Sequence, residues 1–345
     1  MKTLQNESLA PYTSLRVGGP AEELVFVESR DELIATLQQS RTRPWLLGFG
    51  CNVLISDAGL PGKTVIWRTG RVSVNNTEIT ADAGVWWDDV VLAAVNKELW
   101  GLELMSEIPS SVGGAVFGNI AAYGQQVSDT LKWVEVYDFK LRDVQLHNKS
   151  DFDFTYRWSS LQNDPDKIIL RAGFQLSEQP LHELRYDSAL AIKEELDLDT
   201  STPENCRRII VETRRRAGSL YHPGDETAEH TAGSFFKNPM VSSEQARELA
   251  AYDETGKTLE RIENQSRIHG GDNHRASAAH VLLAAGFERG QAWGNVRLHP
   301  KHVLKIETLE GATATEVYEV VQRIMTTVKE KLDIDLEPEV KFLGF

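Results

Sequence analysis

Cysteine is scarce in this chain: two in 345 residues, Cys51 and Cys206. A disulfide framework is excluded, a cysteine-based zinc site is disfavoured, and the pattern suits a reducing compartment. Long apolar runs are missing too. No stretch approaches the roughly 18 apolar residues of a membrane-spanning helix, and the opening MKTLQNESLA holds no apolar core of a signal peptide. The expected location is the cytoplasm, without membrane insertion. A basic excess is also lacking. Lys plus Arg is 37 against 51 for Asp plus Glu, a formal net charge of −14, which argues against bulk attraction to nucleic acid or anionic lipid. A local basic pocket for an anion stays possible. Neither His274 to His280 nor His299-Pro300-Lys301-His302 has the cysteine or carboxylate spacing of a zinc site, so these read as ordinary polar or packing histidines. Internal repeats and low-complexity tracts are absent.

What is present is ordinary globular material, 41% hydrophobic and 26% charged. The length suggests two or three domains at about 150 residues each. ELVFV (23–27) reads as a strand, and Ser29-Arg30-Asp31-Glu32 as a capping box opening a helix through Gln39. PWLLGFG (44–50) and NVLIS (52–56) read as strands with a tight turn, VIWRTG and TEITADAGV as further strands, and 87–99 as a helix. The segment 101–126 has small residues and weak periodicity and reads as a long functional loop. KWVEVYDF, DVQLHN and KIILRAGFQLS continue the strands. Ser201-Thr202-Pro203-Glu204 caps a helix to about Arg216. The Gly- and Pro-marked stretch 218–236 is a domain boundary. Beyond it, 242–252, 277–285 and 315–332 have helical patterns, the last opened by a Thr313–Glu316 capping box. In the tail 333–342, Ile334, Leu336, Val340 and Phe342 share one face and Asp335, Glu337, Glu339 and Lys341 the other. The class is mixed α and β, without the regular alternation of a doubly wound sheet.

Four constellations could carry chemistry. Gly48-Phe49-Gly50-Cys51-Asn52 reads either as a plain tight turn or as an anion nest of backbone N–H groups. Ile108-Pro109-Ser110-Ser111-Val112-Gly113-Gly114-Ala115, continuing to Asn119 and Tyr123-Gly124, suits a loop wrapping a flat or phosphorylated ligand, or a buried crossover on a sheet. Thr155-Tyr156-Arg157 offers a guanidinium beside an aromatic ring, either an anion clamp or a surface arginine. Gly233-Ser234-Phe235-Phe236-Lys237-Asn238-Pro239 places a serine between a glycine and two phenylalanines. That serine reads as a nucleophile, a proton donor or a turn residue; two residues on comes Phe236 rather than the glycine of a nucleophile elbow.

Taken in order, these pieces carry more than each alone. R-V-G-G-P-A from Arg16, G-F-G-C-N-V-L from Gly48, G-L-E-L from Gly101, I-P-S-S-V-G-G-A-V from Ile108, Asn119, A-Y-G from Ala122, T-Y-R-x-S from Thr155, A-G-S-F-F-K-N-P from Ala232 and L-E-P-E-V-K-F from Leu336 follow one another. This series resembles the UDP-N-acetylenolpyruvoylglucosamine reductase family, from about residue 11 to the C-terminus. The resemblance implies an α+β chain with an FAD-binding region of the vanillyl-alcohol-oxidase type in two subdomains, 1–65 and 66–213. A substrate-binding domain at 214–329 and a C-terminal strand, 330–345, returning to the active site complete the expectation.

It also implies a monomeric, cytoplasmic enzyme of peptidoglycan precursor synthesis. NADPH reduces FAD, the flavin N5 gives hydride to C3 of UDP-N-acetylglucosamine enolpyruvate, and Ser234 protonates C2. Arg157, Ser234 and Glu339 are the implied catalytic residues, and Tyr186, Arg216 and Asn238 the implied substrate contacts. FAD is implied at Gly48, Gly50, Cys51, Asn52, Val53, Ser111, Gly113, Gly114 and Asn119, with its diphosphate met by backbone N–H groups of 48–53 and 109–115. The chain departs from the family pattern in several places. Cys51 stands for Ser, Ser110 for Gly, Gly118 for Gln and Ala121 for Gly, and R-x-x-K becomes Arg216-Ala217-Gly218-Ser219, without its lysine. Two other readings stand beside this one: a flavin enzyme of the same fold with another substrate, and a non-enzymatic module that takes up no FAD.

Overall fold

The computed structural model describes residues 1–225, 227–253, 256–260 and 273–345. The remaining positions of the 218–236 stretch and of the expected substrate domain lie outside the described residues. The chain forms two compact units. The first comprises 1–7, 21–50 and 60–228, the second 8–20, 51–59 and 229–345.

In the first unit, a five-stranded antiparallel sheet is the middle layer, in the order Asp143–Asn148, Leu131–Asp138, Lys167–Gln175, Glu78–Asp82, Val72–Asn75. Both faces of its central strands are buried, which is why KWVEVYDF and KIILRAGF read as nearly continuous apolar runs. Val134, Val136, Ala172 and Phe174 pack on one face with Trp87, Val90 and Val91 of the helix Trp87–Val95 and with Val112 and Val116 of the helix Val112–Gly118. Tyr137, Phe139, Ile168 and Leu170 pack on the other with Leu33 and Leu37 of the helix Arg30–Gln39 and with Val25, Val65 and Trp67. The last three belong to a four-stranded sheet in which Pro20–Val27 and Trp45–Leu47 flank Leu60–Trp67 in parallel. The Ser29 cap forms as expected, its Oγ accepting from Glu32 N at 3.2 Å.

In the second unit, Thr231–Ser234, His302–Thr308, Val296–His299 and Ala292–Trp293 make an antiparallel sheet. Leu298, Leu304 and Ile306 on its core side pack with Val281 and Leu282 of the helix Ala278–Ala284 and with Val317, Val321 and Ile324 of the helix Ala314–Leu332. Thr313 and Glu316 form the capping box read from the sequence. Two early segments complete this unit. Leu15, Val17 and Leu54 enter its core, and Val53–Ile55 runs parallel to Lys341–Leu343. The Asp57 carboxylate accepts from Ala314 N at 2.9 Å and from Thr315 N at 2.8 Å, capping the long helix.

Three expectations change. Residues 1–65 do not act as one subdomain, because 8–20 and 51–59 supply core residues, a strand and a helix cap to the second unit. The division falls at 228/229 rather than 213/214, since the helix Pro203–Arg216 buries Cys206, Ile209 and Ile210 among Trp100, Leu104, Ala189 and Ile192 of the first unit. The segment 101–126 is not a loop throughout: Ser111 Oγ caps the helix Val112–Gly118 through Gly114 N, and Ala121–Ala122 pairs with Gln125–Gln126. In the tail the alternation holds, with Ile334, Leu336 and Val340 buried, but only Lys341–Leu343 is a paired strand.

Candidate active site

In the first unit, the two glycine-bearing segments meet. A Cβ on Gly48 would stand 2.8 Å from Ser111 Oγ, and one on Gly113 would stand 3.0 Å from Ala83 Cβ. Arg68 Nε donates to Gly48 O at 2.7 Å, and its guanidinium lies 5.5 Å from the centre of the Phe49 ring. Gly50 has φ +68°, the left-handed region that favours glycine. Gly48 and Gly113 thus let these two segments pack closely on their neighbours. The amides of the helix do not serve as expected, however. Val112 N donates to Val85 O and Gly113 N to Ala83 O, both at 2.9 Å, and Gly114 N is taken by Ser111 Oγ. Gly113 and Gly114 therefore permit close packing rather than present N–H groups to a diphosphate.

Asn119 differs from its expected role as well. It is fully buried at the helix C-cap, with φ +44°. Its Oδ1 accepts from Ser128 N at 3.0 Å and its Nδ2 donates to Thr155 O at 2.9 Å. The side chain fastens the hairpin Phe154–Thr155/Trp158–Ser159, whose two-residue turn carries Arg157. Ser159 Oγ and Gln162 Nε2 both donate to Phe117 O, at 2.7 and 2.9 Å, tying the other side of that hairpin to the same helix. Arg157 itself has φ +54°, a conformation costly for a residue with a Cβ, so the turn is held by its neighbours rather than by its own preference.

Arg216 lies on the exposed side of its helix. It pairs with Glu195 through two contacts of 2.6 Å and with Glu212 at 2.7 Å. Arg214, two residues earlier, turns inward: its Nε is buried, and its Nη2 donates to Ser219 O at 2.8 Å. Burial lowers its pKa below the usual guanidinium value; Tyr123, Glu107 and Asp88 oppose this, and the nearby Arg157 charge adds to it. Tyr123 packs edge-on against Tyr186 with ring centres 5.4 Å apart, and Tyr186 keeps half its surface exposed. Burial raises the Tyr123 pKa, against the pull of Arg214. Arg157, Arg214, Tyr123 and Tyr186 thus form one polar cluster. The sequence reading does not single out Arg214, and it has Tyr123 only as part of the segment that could wrap a ligand. Helical spacing from the buried Cys206 and Ile210 leads to 214, not 216. With Arg214 opening R-x-x-K, the lysine position falls on Ala217, so this cation is missing in either register.

In the second unit, Phe235 N donates to Leu304 O and Glu339 N to Phe235 O, both at 2.8 Å, while Lys237 N donates to Glu337 O at 2.9 Å. The segment after Ser234 is thereby sandwiched between the sheet and the tail, which sets Ser234 and Glu339 on adjoining stretches. Ser234 is exposed, and Gly233 before it has φ +77° with open space around it. Lys237 Nζ is 2.5 Å from Glu337. Burial lowers the Lys341 pKa; Lys237 adds to this, while Glu337 and Glu339 oppose it. Asn52 joins the tail, its O accepting from Lys341 N at 3.0 Å and its Nδ2 donating to Glu339 O at 3.3 Å. Cys51 is buried, and Val53 begins the strand beside Lys341. Asn238 Oδ1 accepts from Ala278 N at 2.9 Å, so this side chain fixes the start of a helix.

The fold and the comparison with known proteins together define a class. Residues 21–140 match the FAD binding domain family model, and the chain is an FAD-dependent oxidoreductase of mixed α and β structure. Residues 225–343 match the model of the UDP-N-acetylenolpyruvoylglucosamine reductase C-terminal domain. The chain is 31% identical to UDP-N-acetylenolpyruvoylglucosamine reductase 2 of Corynebacterium glutamicum, over 98% of its own length and 93% of the relative's. It is 30% identical to the reductase of Streptomyces coelicolor, over 100% and 91%. The crystal structure of UDP-N-acetylenolpyruvylglucosamine reductase from Thermus caldophilus superposes with a TM-score of 0.66 at 25% identity, covering 99% of this chain and 98% of that one. The chain belongs to the UDP-N-acetylenolpyruvoylglucosamine reductase family, whose reaction serves peptidoglycan precursor synthesis.

Proposed function

We propose that this chain reduces UDP-N-acetylglucosamine enolpyruvate to UDP-N-acetylmuramate, as a cytoplasmic monomer, with NADPH as reductant. One observation supports it above the others: hydroxyl and carboxyl groups stand on adjoining stretches, because Glu339 N donates to the carbonyl next to Ser234. FAD, when bound, supplies the hydride chemistry between NADPH and C3 of the enol ether. Gly48, Gly50 and Ser111, with Cys51, Asn52 and Val53, are the residues proposed to hold it.

The remaining work falls to side chains. An enol ether is electron-rich and resists hydride. It becomes an acceptor when its carboxylate draws off the charge that develops, so groups on that carboxylate must bind the transition state more tightly than the ground state. Arg157 takes this role, its planar fork donating to both oxygens. Glu339 stands by as a protonated or hydrogen-bonded carboxyl, since a second bare anion would repel the charge. Ser234 gives its hydroxyl proton to C2. A serine hydroxyl is a weak acid, so position must do what acidity does not. Tyr186 and Arg214, rather than Arg216, bind the nucleotide.

The test is optical. The purified protein is yellow, NADPH bleaches it without oxygen, and the enolpyruvyl nucleotide restores the colour. Ser234→Ala keeps the bleaching and loses the recovery. A Ser234→Ala enzyme that recolours at the wild-type rate removes Ser234 from the mechanism. A second reading, a related flavin enzyme with another substrate, is favoured by the lysine missing from R-x-x-K. Under that reading NADPH still bleaches the protein and the enolpyruvyl nucleotide does nothing.

A further inference from the structure

Glu107, in the first unit, leads into Ile108-Pro109-Ser110-Ser111 with φ +58°, a conformation costly for a residue with a Cβ. Its backbone N–H donates to Asp88 Oδ1 at 2.7 Å. Asp88 is buried on the helix Trp87–Val95, and Arg207 of the helix Pro203–Arg216 grips both its oxygens at 2.6 Å. The same guanidinium reaches Glu107 Oε1 at 3.3 Å. Glu107 Oε2 is buried and meets no hydrogen-bond donor. Leaving a carboxylate oxygen in that state is costly, and backbone strain beside an unmet polar atom points to a task.

The charges around Glu107 come from three elements. Burial raises its pKa and Asp88 adds to this, while His222 and Arg207 oppose it. On the helix of Asp88, Asp89 faces outward. On the helix of Arg207, Glu204 is exposed, and Arg214 feels both carboxylates but donates to Ser219 O at 2.8 Å. The group facing the open oxygen is His222, with Nε2 3.8 Å from Oε2 and a side chain 56% exposed; Asp225 is its other charged neighbour. His222 sits on a stretch tied at both ends. Ser219 N donates to Arg214 O at 2.8 Å, returning the bond from Arg214, and Asp225 N donates to His222 O at 3.1 Å.

We infer that Glu107 and His222 form a proton-operated clasp: a proton entering between Oε2 and Nε2 draws the stretch 219–225 against Glu107, and so steadies Arg214, which that stretch holds through Ser219. Both are positioning residues, and neither touches substrate. The consequence for the nucleotide rests on the function proposed above, since it takes Arg214 as a nucleotide contact. The sign follows from the groups involved. An imidazole ordinarily takes its proton below about pH 6.5, and a buried carboxyl takes one at higher pH than an exposed carboxyl does. Both therefore favour a proton in mildly acid solution, and the contribution is lost as pH rises. The clasp is shut near pH 6 and open near pH 8, where neither group is protonated.

The experiment is hydrogen exchange on the FAD-loaded full-length protein, followed by mass spectrometry in peptides covering 217–225 and corrected for intrinsic rates. At about pH 6 the wild type is expected to exchange about threefold more slowly there than His222→Gln or Glu107→Gln, the size of a partly exposed ion pair. At about pH 8 the three agree. His222→Lys, charged throughout, exchanges slowly at both. Because His222 is exposed, its variants decide the matter should Glu107→Gln not fold. In anaerobic recolouring, His222→Gln is expected to raise the half-saturating enolpyruvyl nucleotide concentration by a like factor at the lower pH and not at the higher, with NADPH bleaching unchanged. Equal exchange in wild type and His222→Gln at the lower pH, or a difference undiminished at the higher, overturns the clasp. Exchange that responds while the nucleotide concentration does not overturns its hold on Arg214. A wild-type enzyme that the nucleotide does not recolour overturns the proposed function, and exchange alone then judges the clasp.

Discussion

Two arginines on one helix, two positions apart, have opposite surroundings. Arg216 is bound to two exposed carboxylates, and Arg214 lies inward by Tyr123 and within reach of the Arg157 charge. Replacing Arg216 by Met is expected to leave steady-state constants and melting temperature unchanged, since exposed pairs contribute little. Replacing Arg214 by Met removes an inward-facing cation, and KM for the enolpyruvyl nucleotide is expected to rise about tenfold; steady-state titration measures both. At this scale the sequence named the chemical types but not always the positions. Arg157, Ser234 and Glu339 sit in motifs with distinctive neighbours. Within a run of three arginines only the helical phase, set by Ile209 and Ile210 in the core, tells inward from outward.

At the scale of elements, the helix Val112–Gly118 holds together what had looked like a loop. Gly113, Gly114 and Gly118 give it poor helix propensity, so its periodicity was faint in the sequence. It forms because Ser111 caps it and Val112, Ala115 and Val116 are buried. Asn119 at its end anchors the Arg157 hairpin through Thr155 O. Asn119→Ala loses the side-chain hydrogen bonds to Thr155, Ser128 and Gln126 at a position with positive φ, a cost of about 2 kcal/mol. Turnover is expected to fall along with stability; urea unfolding and the recolouring rate report the two. The Asp57 cap gives a second test. Burial raises its pKa, but hydrogen bonds from Thr315 and Ala314 outweigh this and hold the carboxyl below its ordinary value of 3.8. A depressed carboxyl stabilises the fold above the unfolded value and loses that contribution as pH falls through the folded one. Asp57→Ala is therefore expected to cost about 1 kcal/mol near neutrality, at the low end given its exposure, and to differ little from wild type well below pH 3.8. Melting curves across pH check the convergence.

At the scale of the whole molecule, sequence reading found most strands and helices and the boundary stretch at 218–236, because Gly, Pro and capping residues mark them locally. It could not find that 8–20 and 51–59 belong with residues from 229 onward, since long-range pairing leaves no periodic trace. The consequence for dissection is direct. Residues 229–345 expressed alone lack Leu15, Val17 and Leu54 from their core and Asp57 from their long helix. That fragment is expected to bind hydrophobic dyes and to show no sharp thermal transition, and a cooperative transition in calorimetry would contradict it. The same interleaving bears on how the protein is made. Val53–Ile55 leaves the ribosome long before its parallel neighbour Lys341–Leu343 is translated. An apolar edge must wait through that interval, in reach of chaperones and of other nascent chains. Emergence of Lys341–Leu343, not of the early segments, starts the clock for the second unit.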